Sequence, residues 1–347
     1  MSKPSQHQKH QTQLAPQARL IVEALKNHPE IPARTLARHL AFHHPEVFKT
    51  VDNARSAIRY QLGTKGERSR GQQPDKSNFR GKRNAGENWK QYLPEVTKES
   101  KQEWGPRIIE KAGTTLILSD IHFPFHSETA LTVAIERGIK AKPDVILLNG
   151  DTADFYSLSR FTKDPSLRDL KNEVETIKWG FLMLRDAFPD AEIIYKMGNH
   201  DERYEHYLMD MAPVLWGLEN TSVEALLEFE NYGIELVNDK RPVQIGKLNV
   251  IHGHEYPTVF SPVNPARGMF LRAGSHTICG HFHRSSQHSE QNIEGHITST
   301  FSTGCLCGLR PKYRPLNNWN HGAAIVYTDS DGAFEVDNFR IIGKRAY

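Results

Sequence analysis

Five short clusters of carboxylate, imidazole and amide side chains stand out in this 347-residue chain. They are Asp120-Ile-His122, Gly150-Asp151-Thr-Ala-Asp154, Gly198-Asn199-His200-Asp201, His252-Gly-His254 and Gly280-His281-Phe-His283. Oxygen and nitrogen donors in this mixture suit borderline divalent metals such as manganese, iron, zinc or nickel, and not calcium or copper(I). In Asp120-Ile-His122 and His281-Phe-His283 the two side chains point the same way if the segment is extended, so each pair can grip one cavity. Gly150, Gly198, Gly253 and Gly280 would let the backbone turn sharply and approach a phosphate. One Asp-x-His carries no information by itself; five such clusters in one chain do.

The elements around these clusters should place them together. From about residue 107 the chain alternates strand-like runs (TTLILSD, PDVILLNGD, AEIIYKMGNH, LNVIHGHE, SHTICGHFH) with helical ones, including a helix of about 20 residues between Pro165 and Phe188. Each cluster falls at the end of such a strand, and open α/β sheets collect their functional groups in the crevice at the carboxyl ends of strands. The last 50 residues read as strands and turns. The pattern predicts an α/β layered fold, sheet on sheet with helices outside.

The five motifs, in this order, resemble those of the calcineurin-like metallophosphoesterases, and the likeness covers roughly residues 113–345. The resemblance implies a four-layer αββα sandwich and a phosphoesterase with two divalent metal ions, manganese first among them. It implies that Asp120, His122, Asp151 and His283 hold one ion. Asp151, Asn199, His252 and His281 would hold the other, with Asp151 as the bridge. A shared metal-bound hydroxide would attack the phosphorus in line. His200, steered by Asp154, would face the leaving-group oxygen. His254 is expected either near the phosphate or packed behind the site, and Arg203 either on a substrate phosphate or in a structural salt bridge. His126 lies outside the pattern and reads as a satisfied surface histidine.

Bulk properties narrow the setting. Three cysteines (Cys279, Cys305, Cys307) make neither a disulfide framework nor a zinc ribbon. Cys305 and Cys307 read as packing residues alternating on a strand. The N-terminus lacks the apolar core of a secretory signal, and no apolar run is long enough to span a bilayer. The expected location is the cytoplasm of a bacterial or phage-infected cell, with no membrane partner. The net charge of +3 hides an asymmetry, because residues 1–92 carry 17 Lys and Arg against 7 Asp and Glu. That region is therefore +10 and the remainder −7.

Residues 1–15 read as a disordered tail. Residues 16–63 read as three short helices in a helix-turn-helix-like module. The first carries Leu20, Ile21, Ala24 and Leu25, the second Leu36, Leu40 and Phe42, and the third runs from about Val51 to Leu62 with Gly63 at its C-cap. Arg55 and Arg59 lie one turn apart where a recognition helix would present them to DNA. The stretches PARTLARHL and FKTVDNARSAIRYQLG resemble N-terminal segments of phage and prophage proteins. Residues 64–106 read as a basic linker, with Phe79 and Trp89 available for stacking, and residues 107–347 as the catalytic domain. Residues 203–232 read as a helical excursion beside the third motif, its Tyr204, Tyr207 and Trp216 serving as core or as a stacking surface.

The ester is less legible. Phe155 after Asp154, and Asp201 after His200, depart from the Ser/Thr protein phosphatase branch. The basic arm points to a nucleic-acid phosphodiester and a nuclease-like enzyme. The alternatives are a phosphomonoesterase acting on phosphoprotein or a small metabolite, and a DNA-binding regulator that uses the fold only as a scaffold.

Overall fold

A computed structural model describes residues 14–63, 93–97, 104–110, 113–257 and 263–347. The tail up to residue 13, the segment 64–92 and the two aromatics Phe79 and Trp89 lie outside the described residues. The chain divides into two compact units, residues 1–101 and 102–347.

In the first unit, α1 (Pro16–Asn27), α2 (Ala33–His43) and α3 (Val51–Leu62) bury one apolar face each. Ile21, Leu25, Leu36, Leu40, Ala54 and Ile58 form the core. Phe42 is not part of it. Its helical spacing suggested burial, yet it is 79% exposed, and Phe48, in the turn before α3, fills the centre instead. Burying a side chain of that size contributes about 1.5–3 kcal/mol. Thr50 caps α3 by accepting from Asn53 N at 3.1 Å. Gly63 sits at the C-cap with an extended backbone, φ −80°.

The second unit is the four-layer sandwich that the resemblance implies. Its seven-stranded sheet runs, from edge to edge, β13 (Arg345–Ala346), β12 (Phe334–Ile342), β11 (His321–Thr328), β2 (Gly113–Leu118), β3 (Val145–Asn149), β4 (Glu192–Lys196) and β5 (Ile234–Val237). Its six-stranded sheet runs β1 (Arg107–Ile109), β6 (Val243–Ile245), β7 (Leu248–Ile251), β8 (Thr277–Cys279), β10 (Ile297–Ser302) and β9 (Ser286–Gln291). The strands that matter most for the site are β2 (Gly113–Leu118), β3 (Val145–Asn149), β4 (Glu192–Lys196), β7 (Leu248–Ile251) and β8 (Thr277–Cys279). Alternate residues of the central strands face two different cores, as a period of two requires. Leu116, Leu118, Ile146 and Leu148 pack under the outer helices α4 (Glu128–Ala141) and α5 (Leu170–Ala187). Ile117, Val145, Leu147 and Ile194 face Ile245, Val250 and Ile278 of the other sheet. Behind the six-stranded sheet, Met269 of a further helix, Pro265–Ala273, packs on Ile251 and Cys279. Strands β2, β3, β4 and β5 (Ile234–Val237) run parallel, as do β7 and β8, so their carboxyl ends gather. Among the described residues no helix is long and apolar enough to cross a membrane.

Candidate functional site

All five motifs follow strand ends directly: β2 runs into Asp120, β3 into Asp151, β4 into Asn199, β7 into His252 and β8 into His281. The connecting loops brace one another. Asp120 N donates to Gly150 O (3.1 Å), His122 N to Asp151 O (2.9 Å) and Gly280 N to His252 O (2.9 Å).

The backbone here is not extended, contrary to the condition on which the paired side chains were read. Asp120, His122, Asp151, His281 and His283 have φ of 55°, 53°, 51°, 65° and 56°. Each such left-handed residue stores about 1–3 kcal/mol, a cost that surrounding structure must hold in place. Gly198 is required by close approach, since a methyl group there would overlap Asp151 Oδ1 and N.

The side chains converge. His283 Nε2 lies 3.1 Å from Asp120 Oδ1, and His122 Nε2 3.4 Å from His283 Nε2 and 3.7 Å from Asp151 Oδ2. Asp151 Oδ2 is 3.3 Å from His252 Nε2, and Asp151, His252 and His281 present donor atoms within 4.8 Å of one another. Asp120 and His252 are wholly buried.

This cluster fits cations. His252 Nδ1 is 2.8 Å from Asn149 O, and a proton donated along that contact leaves Nε2 as a lone pair facing a carboxylate. Nε2 has no hydrogen-bond partner, and neither does the buried Asn199 Oδ1. Burial lowers the proton affinity of His252, yet Asp151 pushes its pKa up to about 10. His283 behaves alike: burial opposes its charge, and Asp120 drives the pKa up to about 10. The cluster thus demands positive charge between donors that borderline metals favour. His281, held down to about 4 by burial and by His252, is a neutral imidazole suited to coordination.

Asp154 does more than orient one histidine. Its Oδ1 accepts from His200 Nδ1 (2.6 Å) and from His122 Nδ1 (2.9 Å), so one carboxylate fixes both rings. Burial would raise its pKa, but those hydrogen bonds outweigh it and hold the group well below the carboxylate range. Arg203 donates to Asp154 O (2.8 Å), and its Nη2 lies 3.0 Å from His200 Nε2. The ring of His254 is tied to Glu202 at 3.0 Å.

Three features escaped the sequence reading. Asp201 bolts two motif loops together, accepting from Asp151 N (2.7 Å), Gly198 N (2.7 Å), Ala153 N (2.9 Å) and Tyr195 OH (2.5 Å). Glu255 accepts from His252 N and Gly253 N at 2.9 and 2.6 Å. Behind it lies Lys196, fully buried, its Nζ 2.7 Å from Glu255 Oε1 in a charge contact without an aligned hydrogen bond. The third is Cys307, read as packing. It is buried, but it forms one isolated bridge, with His126, outside any regular strand, and its Sγ lies 3.7 Å from His283 Nδ1. His126 differs as well. It is half-buried, its Nδ1 has no hydrogen-bond partner, and its backbone bridges to Cys307.

A family profile for calcineurin-like phosphoesterases matches residues 113–301. The chain is similar to the gene 54 protein of Mycobacterium phage L5, 28% identical over 233 residues that span 62% of this chain and 88% of the relative. It is also similar to the gene 54 protein of Mycobacterium phage D29, 29% identical over 175 residues, 49% of this chain and 68% of the relative. Among solved structures, a Vps29 double mutant from Entamoeba histolytica aligns with TM-score 0.36 and 12% identity over 67% of this chain and 96% of its own. The phosphoesterase Yfce from E. coli aligns with TM-score 0.31 and 15% identity over 61% and 87%.

Proposed function

The chain belongs to the calcineurin-like phosphoesterase family, and from that premise we propose that it hydrolyses nucleic-acid phosphodiesters with two divalent metal ions, manganese first among them. That it is a metal-dependent phosphoesterase follows from the family; the ester, the metal and the division of ligands are our reading. Asp120, His122, Asp151 and His283 would hold one ion, and Asp151, Asn199, His252 and His281 the other. Once bound, the ions supply Lewis acidity at the phosphoryl group and the ionised water its hydrolysis needs. The observation that supports this division is His252 Nε2 turned toward Asp151 Oδ2 at 3.3 Å, with Asn199 Oδ1 unpartnered.

The remaining work falls to side chains around the cluster. Asp154 keeps His122 turned inward and leaves His200 Nε2 as the outward nitrogen. With substrate in place, Arg203 would exchange His200 for a phosphate oxygen, and Nε2 would carry a proton to the departing oxygen. His254, held by Glu202, would stand beside the phosphate.

The nucleic-acid assignment rests on charge: residues 1–92 carry a net +10. On α3, Arg59 is exposed and Arg55 half-buried, the face that would meet DNA. The test is incubation of the full chain with manganese and single- or double-stranded DNA at rising salt. Cleavage that falls steeply with salt is expected, because phosphate-backbone binding releases counterions. Intact DNA alongside rapid cleavage of p-nitrophenyl phosphate would instead favour a phosphomonoesterase acting on phosphoprotein or metabolite.

A further inference from the structure

The segment Gly308–Asn320, between β10 (Ile297–Ser302) and β11 (His321–Thr328), belongs to none of the five motifs, yet both its ends are tied to them. Gly308 N donates to Phe125 O (2.9 Å), three residues after His122, and Asn320 N donates to His283 O (2.9 Å). The ring of Trp319 lies 4.1 Å from the ring of His283. Between these anchors Arg314 N donates to Pro311 O (3.0 Å), closing a turn with Lys312 and Tyr313 at its tip. Asn317 Nδ2 braces the segment from inside, donating to Leu309 O (2.7 Å) and Arg314 O (2.8 Å).

The segment contains Arg310, Lys312 and Arg314 and no acidic residue. Lys312 reaches Asp164 at 3.1 Å. Among the described residues Arg310 and Arg314 have no acidic partner. Tyr313 keeps 73% of its surface exposed, and its ring stands 6.5 Å from that of Trp319. Tyr313 thus reaches the cluster through Trp319, whose ring stands on that of His283.

We propose that this arginine- and aromatic-bearing lip is the substrate-reading surface of the catalytic unit, and that it takes an unpaired nucleic-acid strand. Tyr313 and Trp319 receive a base next to the scissile phosphate, and Arg310 and Arg314 neutralise flanking phosphates. The proposal rests on the phosphodiesterase reading above but uses none of the N-terminal arm. Aromatic faces at the rim suit bases, which carry a π-face whatever their sequence, and a base reaches such a face only when it has left a duplex. A phosphopeptide would be served by the arginines alone and would leave Tyr313 without a role.

The test uses the full chain with manganese, a fluorescent single-stranded oligonucleotide, and the same strand made abasic at the residue beside the cut. Tyr313→Ala is expected to raise KM for the intact oligonucleotide roughly tenfold while kcat stays within about twofold, stacking being worth that order. Tyr313→Phe should restore the wild-type KM. Wild type should lose the same factor on the abasic strand, and the abasic strand should not distinguish wild type from Tyr313→Ala. Arg310→Ala with Arg314→Ala should flatten the salt dependence of KM by one to two phosphates' worth. If wild type cleaves the strand and Tyr313→Ala matches it in KM, the lip is wrong and the phosphodiesterase reading stands. If wild type cleaves no nucleic acid, anisotropy of the labelled strand still decides: equal binding by wild type and Tyr313→Ala overturns the lip, and weaker binding by the variant supports it while the substrate reading falls.

Discussion

The strand-end cluster and the N-terminal helices are opposites in both charge and burial. In the cluster, Asp120 and Asp151 are buried against imidazoles. On the helical unit, Arg59 lies in water. Burying an ion costs several kcal/mol even after relaxation, so adjacent buried carboxylates persist only where positive charge completes them. A solvated arginine meets no such demand and is compatible with many partners, or none. Function is therefore most sharply encoded where charge has been taken out of water.

That contrast can be broken at its buried end first. Asp151→Asn removes the carboxylate that faces both His122 and His252. Hydrolysis of bis-p-nitrophenyl phosphate with manganese should fall by ~10³-fold or more, the loss of several kcal/mol of transition-state stabilisation. A wild-type rate in this variant would revive the scaffold-only regulator. Asp154→Asn should cost about 10–100-fold in the same assay, because both histidines lose the carboxylate that orients them.

Glu255→Gln probes the support behind the site. It leaves Lys196 buried without its counter-charge, and such broken pairs destabilise by about 3–5 kcal/mol, visible as a lower Tm. The effect has a pH signature. Burial would raise the Glu255 pKa, but Lys196 outweighs it and brings the group from 4.5 down to about 2. A carboxylate whose pKa is depressed in the folded state contributes its stability above its unfolded pKa and loses it as pH falls through the folded one. The Tm gap between wild type and Glu255→Gln should thus be full above pH 4.5 and close toward pH 2. A gap that does not change with pH would contradict the ion pair.

The smallest effect is expected at the exposed end. Arg55→Ala with Arg59→Ala should weaken DNA binding only several-fold and lower the salt slope by about one per lost phosphate contact. An unchanged slope would leave α3 as an ordinary solvated helix face.

The same contrast explains what the sequence disclosed. Residue types at strand ends announced the cluster, since five motifs of metal donors in order are hard to obtain otherwise. The central strands were legible too, because burial on both faces makes them nearly continuous apolar runs such as Val145–Asn149. What remained hidden depends on contacts remote in the chain. Asp201 meets Asp151 across 50 residues, and Lys196 meets Glu255 across nearly 60, with no local pattern to mark either. The left-handed backbone at Asp120 or His283 was invisible because neither residue type requires it. Phe42 misled because helical periodicity reports a face but not which neighbour covers it, and Phe48 covered the core from a turn.

The central claim is that the buried cluster is completed by two divalent ions that make it a phosphoesterase centre. The direct measurement is metal content against turnover: the full chain is stripped with a chelator, titrated with manganese, and followed for bound metal and for bis-p-nitrophenyl phosphate hydrolysis. The account predicts two equivalents per chain, turnover that rises with their binding, and loss of both in Asp151→Asn. Turnover that survives chelation, or two tightly bound ions in Asp151→Asn, would contradict it.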